Sequence, residues 1–322
     1  MTFLVSLKSI VPLVNLIPIG SFPRRLLLKQ KTVSLLFILF VGRKLGLLGA
    51  KRIGTNFNGN ALLRLNKVSA LGYKGTIIEV PKDQVIYRQI SRFGSWELQE
   101  SKFIANGLLY ACNNLKAKTA LLDIGAHVGL VTLQAMNLAK TSNDIFLFEP
   151  MPNHIYALKS NLSKLSNINL RYNNFALSNR NGWSPIYTQT SNRGNSSLVD
   201  RVVPSTSRIE TQIQLVDTAE YCHNHLNGYE AFVLKSDTQG MDPLILSNIP
   251  EIIWEKIICA VIEVWAIPEI KNTDVDTLLS MLGKFSYTSW NFESGNFVSK
   301  KNIRDFWLSK TNLQRNLFLR RN

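Results

Sequence analysis

From Thr119 onward the chain alternates between short apolar segments and segments with helical periodicity, which limits its possible folds more than any other feature. TALLDIG, DIFLFEP and AFVLKSD are apolar runs too short for helices, and each ends at Gly, Pro or polar residues. LVTLQAMNLAK and PNHIYALKSNLSKL follow the first two at helical spacing. Alternating strands and helices pack as a mostly parallel sheet with helices on both faces. We therefore expect an α/β, doubly wound fold.

Four segments are expected along the chain. They are a basic and apolar extension over residues 1–52, a mixed lead-in over 53–118, the main domain over 119–298 and a basic tail over 299–322. In the lead-in, GTIIEV and QVIYRQI are predicted as strands, and a helix is predicted around ELQESKFIANGLLYACNN. In the main domain INLRYNNFALS is predicted as one strand, and Asp217 as the N-cap of the helix DTAEYCHNHL.

The formal net charge of +15 is concentrated at the two ends of the chain. Before Glu79, the first acidic residue, there are 12 basic residues, and from Lys300 onward there are 7 basic residues against Asp305 alone. The stretch between them carries a net charge of −3. A basic end of this kind indicates an anionic partner or surface, so the charge bears on association rather than on the main domain.

Residues 1–52 mix apolar runs with Lys and Arg. The longest apolar run, 33–41, has nine residues, whereas a membrane-spanning helix needs roughly 20. Lys8 and Pro12 interrupt the first apolar run, which is not typical of a secretory signal. Two interpretations stay open: peripheral contact with an anionic membrane, or helices that pack on this chain or a partner. We expect a cytoplasmic location, with or without peripheral membrane contact.

The cysteine and histidine residues do not form a metal-binding pattern. Cys112, Cys222 and Cys259 lie far apart without a CxxC pair, which argues against a disulfide framework or zinc site and fits a reducing compartment. His223 and His225 are two residues apart, which is not helical ligand spacing. We expect no metal. Nucleic acid is also not expected, because the basic ends lack interleaved aromatic residues.

The first two strands of the main domain end in residues suited to a nucleoside. In such sheets ligands bind beyond the carboxyl ends of the strands. The first strand ends in DIGAHVG, where Gly125 and Gly129 permit a sharp turn and close approach to a ligand. The second ends at Glu149, 20 residues after Gly129. A carboxylate at that point can accept both hydroxyl hydrogens of a ribose.

The glycine spacing favours a cationic nucleoside over a dinucleotide. A dinucleotide site uses G-x-G-x-x-G, whereas this chain has D-x-G-x-x-x-G with Asp123 before the first glycine. That carboxylate would repel a pyrophosphate but suits S-adenosylmethionine, which carries a sulfonium, an ammonium and no phosphate. An ordinary strand-to-helix turn is the alternative interpretation.

Several motifs in order resemble the FkbM family of S-adenosylmethionine-dependent methyltransferases, across roughly residues 95–265. The matching pieces are GSWELQ, LLDIGAHVGLVTL, FEPMPNHIYALKSNL, FALSNRNG, RGNSSL, LKSDTQGMD and AVIEVW. The resemblance implies a Rossmann-like class I methyltransferase that acts on a hydroxyl of a sugar, glycolipid or secondary metabolite.

The resemblance also implies the binding residues for S-adenosylmethionine. The methionine end would be lined by Asp123, Gly125, Ala126, His127 and Gly129, the ribose would be held by Glu149, and Asn174 and Ala176 would lie beside the adenine. Three positions depart from the family pattern. His127 stands where Asn is usual, while Gln239 and Asp242 each stand where Glu is usual.

The catalytic candidates are Asp237, Lys235 and Glu263. Methyl transfer to a hydroxyl needs aligned reactants and a group that accepts a proton. Asp237 ends the fourth strand, Lys235 precedes it on the same face, and Glu263 lies on the fifth strand. Asp237 is expected to orient the hydroxyl or take its proton, and a structural ion pair with Lys235 is the alternative. Because Gln239 cannot take a proton, a cofactor- or glycan-binding scaffold without turnover is the alternative function.

Overall fold

The computed structural model describes residues 49–81, 84–189, 196–198, 208–293 and 295–321. The predicted basic extension therefore lies outside the described residues except for 49–52, and its interpretation stays a prediction. Within the described ranges, no helix is both long enough and apolar enough to cross a membrane.

The described ranges contain fourteen strands and nine helices in the following order. They are β1 (Ala50–Thr55), β2 (Ala61–Leu65), β3 (Ile77–Val80), α1 (Gln84–Phe93), α2 (Leu98–Tyr110), β4 (Thr119–Ile124), α3 (Leu130–Ala139), β5 (Asp144–Phe148), α4 (Pro152–Leu162), β6 (Leu170–Asn173), β7 (Ala176–Ser178), β8 (Gly182–Gln189), β9 (Ser196–Ser197), β10 (Arg208–Asp217), α5 (Thr218–His225), β11 (Ala231–Ser236), α6 (Asp242–Ser247), α7 (Glu251–Trp254), β12 (Ile257–Trp265), α8 (Asn272–Leu282), β13 (Tyr287–Ser289), α9 (Lys300–Trp307) and β14 (Gln314–Arg320). A π-helical turn over Ala111–Leu115 continues α2.

Seven strands form the central sheet in the order β13-β14-β12-β11-β4-β5-β6. Neighbouring strands from β12 through β11, β4 and β5 to β6 run parallel, whereas β14 runs antiparallel to both β12 and β13. The expectation of a doubly wound, mostly parallel sheet is therefore confirmed. The carboxyl ends of the parallel strands meet at one edge of the sheet, which is where such folds bind ligands.

Alternate residues of the central strands face two separate apolar cores. Leu121 of β4 packs in the core that contains α2, α3 and α4, while its neighbour Leu122 packs in the core that contains α5 to α9. Both faces of β4 and β11 are buried along their whole length. This explains why these strands are continuous apolar runs rather than alternating ones.

The lead-in forms a three-stranded antiparallel sheet, β1-β2-β3, that is tied to the main domain by Asn161. The Asn161 side chain accepts from the Glu79 amide at 2.8 Å and donates to its carbonyl at 2.7 Å. It also donates to the Val128 carbonyl at 2.8 Å. Since the Asn161 side chain is fully buried, this amide fixes β3 against the loop that follows β4.

A second sheet, ordered β7-β10-β8-β9, covers part of the carboxyl edge. The residues predicted as one strand, INLRYNNFALS, divide into β6 of the central sheet and β7 of this sheet. Asp217, the last residue of β10, accepts a hydrogen bond from the Glu220 amide at 2.9 Å, so the predicted N-cap is confirmed.

Two assignments from the sequence need correction. The segment QVIYRQI, predicted as a strand, lies within α1, because the buried Ile86 and Ile90 are four residues apart on one helical face. Residues 299–322, predicted as a basic tail, contain α9 and β14, and β14 lies inside the central sheet between β12 and β13. Its buried Leu317, Phe318 and Leu319 supply apolar side chains to both faces.

We expect Gly107→Ala to destabilise the protein, although an alanine inside a helix ordinarily stabilises by up to about 1 kcal/mol relative to glycine. An added Cβ at Gly107 would lie 2.1 Å from Sγ of Cys259 on β12. Overpacking of this kind costs about 1–3 kcal/mol. Urea unfolding of Gly107→Ala, Cys259→Ala and the double variant measures it, and the double variant should recover part of the loss. A single Gly107→Ala variant as stable as the parent would contradict the close contact.

Candidate functional site

A pocket of about 500 Å³ opens at the carboxyl ends of β4, β5, β11 and β12. Its volume is in the range of small-molecule sites, and its position is where doubly wound sheets bind ligands. The walls include the following predicted site residues: Gly125, Ala126, His127, Glu149, Ala176, Lys235, Asp237 and Glu263. The fold therefore brings most of the predicted residues to one cavity.

The loop after β4 approaches the end of β11 so closely that only glycine fits. Gly125 has a φ of 76°, and an added Cβ would lie 1.9 Å from the Asp237 carbonyl oxygen. The Asp237 amide donates to the Ile124 carbonyl at 3.0 Å. At Gly129, where φ is 75°, a Cβ would lie 2.5 Å from Leu158. Gly125 is therefore required by its close approach to the backbone at Asp237, whereas Gly129 is favoured by its positive φ.

Glu149, at the end of β5, already accepts three internal hydrogen bonds. One carboxylate oxygen accepts from the His127 amide at 2.9 Å. The other accepts from the Met151 amide at 2.8 Å and lies 3.2 Å from Nδ1 of His154. A carboxylate offers about four lone-pair positions, so one stays available. Glu149 can thus take one ligand hydroxyl, whereas the sequence predicted two.

Two histidine rings stand beside this carboxylate. The rings of His127 and His154 are edge to face at 4.4 Å. Burial, and next the neighbouring His154, lower the pKa of His127 well below its ordinary value, so the imidazole is neutral. Its Nε2 is buried and has no hydrogen-bond partner among the described residues. A buried polar atom on a pocket wall is suited to a ligand group.

Ala176 and Asn174, both predicted beside an adenine, have different positions. Ala176 lies on the pocket wall between Phe175 and Leu177, which makes this end of the cavity apolar. The Asn174 amide instead donates to the carbonyls of Glu149 at 2.9 Å and Pro150 at 3.0 Å. Its side chain therefore holds the loop after β5, and the predicted contact with adenine stays a prediction.

Lys235 and Asp123 form a buried ion pair between β11 and β4. They are register partners in the sheet, and Nζ of Lys235 lies 3.3 Å from Oδ1 of Asp123. Nζ also donates to the Gly125 carbonyl at 2.6 Å, while Thr132 donates to the second Asp123 oxygen at 2.5 Å. Burial acts to lower the pKa of Lys235, but the charges of Asp123 and Asp237 raise it overall. The ammonium therefore stays charged.

Gln239 is a neutral bridge between two carboxyl groups. Its Nε2 donates to Asp237 at 2.8 Å and to Glu263 at 3.1 Å. Gln239 has a φ of 54°, and its carbonyl accepts from Ser197 at 2.6 Å. The amide thus holds in place the two acids that the sequence identified as catalytic candidates. A glutamate at position 239 would instead place a third carboxyl group beside Asp237 and Glu263.

Burial, and next the charge of Asp237, raise the pKa of Glu263 well above its ordinary value. Asp237 lies on the pocket wall beside it, with one oxygen held by the Gln239 amide. Asp242 is buried and accepts from Ser236 at 2.5 Å and from the Thr238 amide at 3.2 Å. Burial above all raises its pKa to about 6. Asp242 supports the turn and is not part of the pocket wall.

Glu97, which precedes α2, is a pocket residue that the sequence analysis did not select. It lies on the wall with Lys235 and Asp237, and its backbone has a φ of 42°. Burial, and next the charge of Asp237, raise the pKa of Glu97 to about 8. The motif GSWELQ contained this acid, but nothing in the sequence indicated that the segment before α2 reaches the end of β11.

Polar side chains close to β14 line the same cavity and were also missed. Asn312, Gln314 and Asn316 lie on the wall, together with Trp265 at the end of β12. The Trp265 indole donates to Asn312 at 3.0 Å. The three amides lie in residues 299–322, which were predicted as a tail outside the main domain, so the sequence did not indicate their contribution to the site.

Neither a family model nor a curated protein matches this chain. Among solved structures, a SAM-dependent methyltransferase from Agrobacterium tumefaciens is 11% identical, with 85% of this chain and 77% of that chain covered and a TM-score of 0.38. A SAM-dependent O-methyltransferase from Thermotoga maritima is 14% identical, with 81% of this chain and 77% of that chain covered and a TM-score of 0.34. Fibrillarin from Aeropyrum pernix, in complex with natively bound S-adenosyl-L-methionine, is 11% identical, with 84% of this chain and 97% of that chain covered and a TM-score of 0.35.

Likenesses of this size carry no argument about activity. The fold is established by the order and direction of the seven central strands, with one antiparallel strand, β14, beside β12. This arrangement is a doubly wound, Rossmann-like α/β fold.

We expect Glu97 to make the stability of the protein dependent on pH. Its pKa in the folded protein, about 8, exceeds the ordinary value of 4.5, so the folded state binds the proton more tightly than the unfolded chain. This contribution is fully present below pH 4.5 and is lost as the pH rises toward about 8. Thermal unfolding of the parent and Glu97→Gln should therefore diverge at alkaline pH, with the variant more stable. Glu269→Gln, at an exposed position, serves as the control. Parallel curves for the parent and Glu97→Gln would refute the assignment.

Proposed function

We propose that this chain is an S-adenosylmethionine-dependent methyltransferase of the FkbM type, and that it O-methylates a hydroxyl of a sugar, glycolipid or secondary metabolite. One observation carries the proposal. A single pocket contains the glycine loop after β4, the acid Glu149 after β5, and the Asp237–Gln239–Glu263 cluster after β11 and β12. A nucleoside site and a proton-accepting site are thereby adjacent.

The residues at the first end of the pocket fit the cofactor. The apolar wall of Phe175, Ala176 and Leu177 suits a purine ring. Glu149 keeps one acceptor position for a ribose hydroxyl, and the unpartnered Nε2 of His127 can pair with a polar group of the ligand. When bound, S-adenosylmethionine supplies a methyl group that its sulfonium has already activated. The Gly125 backbone allows a ligand to approach this edge of the sheet.

The residues at the second end supply the proton chemistry. Asp237 is held by the Gln239 amide at 2.8 Å, and its charge acts on the nearby Lys235. Since it lies on the pocket wall after β11, Asp237 is the group that we assign to orient an acceptor hydroxyl and to take its proton. A positioned base of this kind contributes roughly 10²–10⁴-fold to a rate.

The wall near β14 carries three amide side chains beside one cation, Arg315, and the amides support a hydroxyl-bearing acceptor. Asn312, Gln314 and Asn316 present amide groups, which donate and accept hydrogen bonds without charge. Trp265 adds an aromatic ring at the same wall. Amides with an aromatic surface complement the hydroxyl groups and apolar face of a sugar, which is why we favour that class.

Gln239 supports turnover rather than a scaffold role. The doubt raised by its sequence was that an amide cannot accept a proton. In the structure the amide leaves both Asp237 and Glu263 in place and donates to each. The capacity to accept a proton therefore resides in Asp237, and Gln239 acts as a positioning residue.

S-adenosylmethionine should raise the melting temperature of the protein, and Glu149→Ala should remove most of that shift. Loss of a hydrogen bond to a charged group weakens binding by about 10–100-fold. Glu269→Ala is the matched control, because it removes an exposed acid that is not on the pocket wall. It should leave both the melting temperature without cofactor and the cofactor-induced shift unchanged. Absence of any shift in the parent at millimolar cofactor would refute the proposed cofactor.

Asp237→Asn should lower the formation of S-adenosylhomocysteine by roughly 10²–10⁴-fold in the presence of an accepted glycan or glycolipid. The same variant should keep the cofactor-induced thermal shift, because asparagine keeps the size of the side chain and an oxygen for the Gln239 amide. Gln239→Leu should also slow turnover, since Asp237 then loses its amide partner. Equal turnover in the parent and Asp237→Asn would remove Asp237 from the mechanism.

A further inference from the structure

The outer face of the β1-β2-β3 sheet carries an exposed row of basic and apolar side chains. In the sheet register Lys51 of β1 pairs with Arg64 of β2, and Arg64 pairs with Ile77 of β3. All three side chains are exposed, while Leu63 and Ile78 next to them are buried. The inner face therefore packs on the domain, and the side chains of the outer face are exposed.

The connections at both ends of this sheet carry further exposed basic and apolar side chains. The connection between β2 and β3 contributes the exposed Lys67 and Lys74, with Val68 at 68% and Tyr73 at 76% exposed. The turn between β1 and β2 contributes Phe57, which is 94% exposed. We call this set of Lys51, Phe57, Arg64, Lys67, Val68, Tyr73, Lys74 and Ile77 the basic face.

Among the residues that the structure describes, no acid forms an ion pair with the basic face. Glu79 is the first acidic residue of the sequence, and it is buried, with its carboxylate accepting from Asn56 at 2.5 Å and Asn60 at 2.8 Å. Within the described part of the chain, Lys51 and Arg64 form no ion pair. The same holds there for the two lysines of the β2–β3 connection. The charge is therefore available for an external partner.

The arrangement of charge and apolar groups distinguishes between anionic partners. A nucleic acid that stacks on a protein needs aromatic rings interleaved with the basic groups. On the basic face Phe57 lies in the β1–β2 turn, apart from the four charges, and Tyr73 shares the β2–β3 connection with Lys67 and Lys74. The rings are therefore not interleaved with the charges, and exposed apolar side chains beside lysine and arginine are suited to the headgroup boundary of a lipid bilayer.

We propose that the basic face docks on an anionic lipid bilayer. The four charged side chains would lie among the headgroups, and Phe57, Val68 and Tyr73 would enter the boundary with the acyl chains. The proposal concerns a folded surface, so it does not depend on the interpretation of residues 1–48. It also does not depend on the proposed methyl transfer.

The test compares two quadruple variants of the full chain in flotation with phosphatidylcholine vesicles, with and without phosphatidylserine. Lys51→Glu, Arg64→Glu, Lys67→Glu and Lys74→Glu together reverse the basic face. Lys271→Glu, Lys300→Glu, Lys301→Glu and Lys310→Glu reverse four other exposed lysines, so both proteins change net charge equally. Each basic residue near an anionic membrane strengthens membrane binding by about fivefold. The first variant should therefore bind the phosphatidylserine vesicles at least about 10²–10³-fold more weakly than the parent. Vesicle binding of the control variant should fall less than tenfold.

A second comparison removes apolar contacts and keeps the charge. Phe57→Ala with Tyr73→Ala should weaken vesicle binding, whereas Trp183→Ala, at a side chain that is 69% exposed on β8, should not. Equal losses in the two charge-reversal variants would overturn the proposal, as would equal binding to neutral vesicles. It would also be overturned if reversal of the basic face abolished binding to an RNA oligonucleotide but left flotation unchanged. All of these positions are exposed, so circular dichroism should show the parent fold in each variant.

Discussion

The buried ion pair between Lys235 and Asp123 is the interaction on which the rest of the site depends. It joins β11 to β4 at the carboxyl edge, and the same ammonium holds the Gly125 carbonyl at 2.6 Å. Removing either partner would leave an uncompensated buried charge, which costs about 3–5 kcal/mol. The loop after β4 and the acid after β11 are therefore fixed relative to each other before any ligand arrives.

Around this pair the pocket concentrates carboxyl groups that burial and mutual repulsion drive toward protonation. The pKa of Glu263 is well above its ordinary value and that of Glu97 is about 8, in both cases through burial first. Gln239 fits this environment because an amide donates to two acids without adding charge. The substitution that looked like the loss of a base is consistent with a division of labour in which Asp237 keeps that role.

Much of the fold was predictable because buried parallel strands leave a strong signal. TALLDIG and AFVLKSD are apolar on both faces, and the glycines and acids at the strand ends follow from the ligand position in such sheets. The errors have physical causes as well. QVIYRQI is short enough to fit either the helical period or the strand period. The apolar run of β14 is flanked by four basic residues, Lys310, Arg315, Arg320 and Arg321, which suggested a tail.

The sequence by itself determined the parallel sheet, the glycine loop and the acids Asp123, Glu149 and Asp237, because each lies within a local pattern of a few residues. Only the tertiary structure decided that Glu97 and the amides of 312–316 reach the same cavity, since these contacts join segments more than 70 residues apart from β11. It also decided the raised pKa of Glu263 and the spare acceptor of Glu149. Burial and hydrogen-bond partners are properties of packing, and no local pattern encodes them.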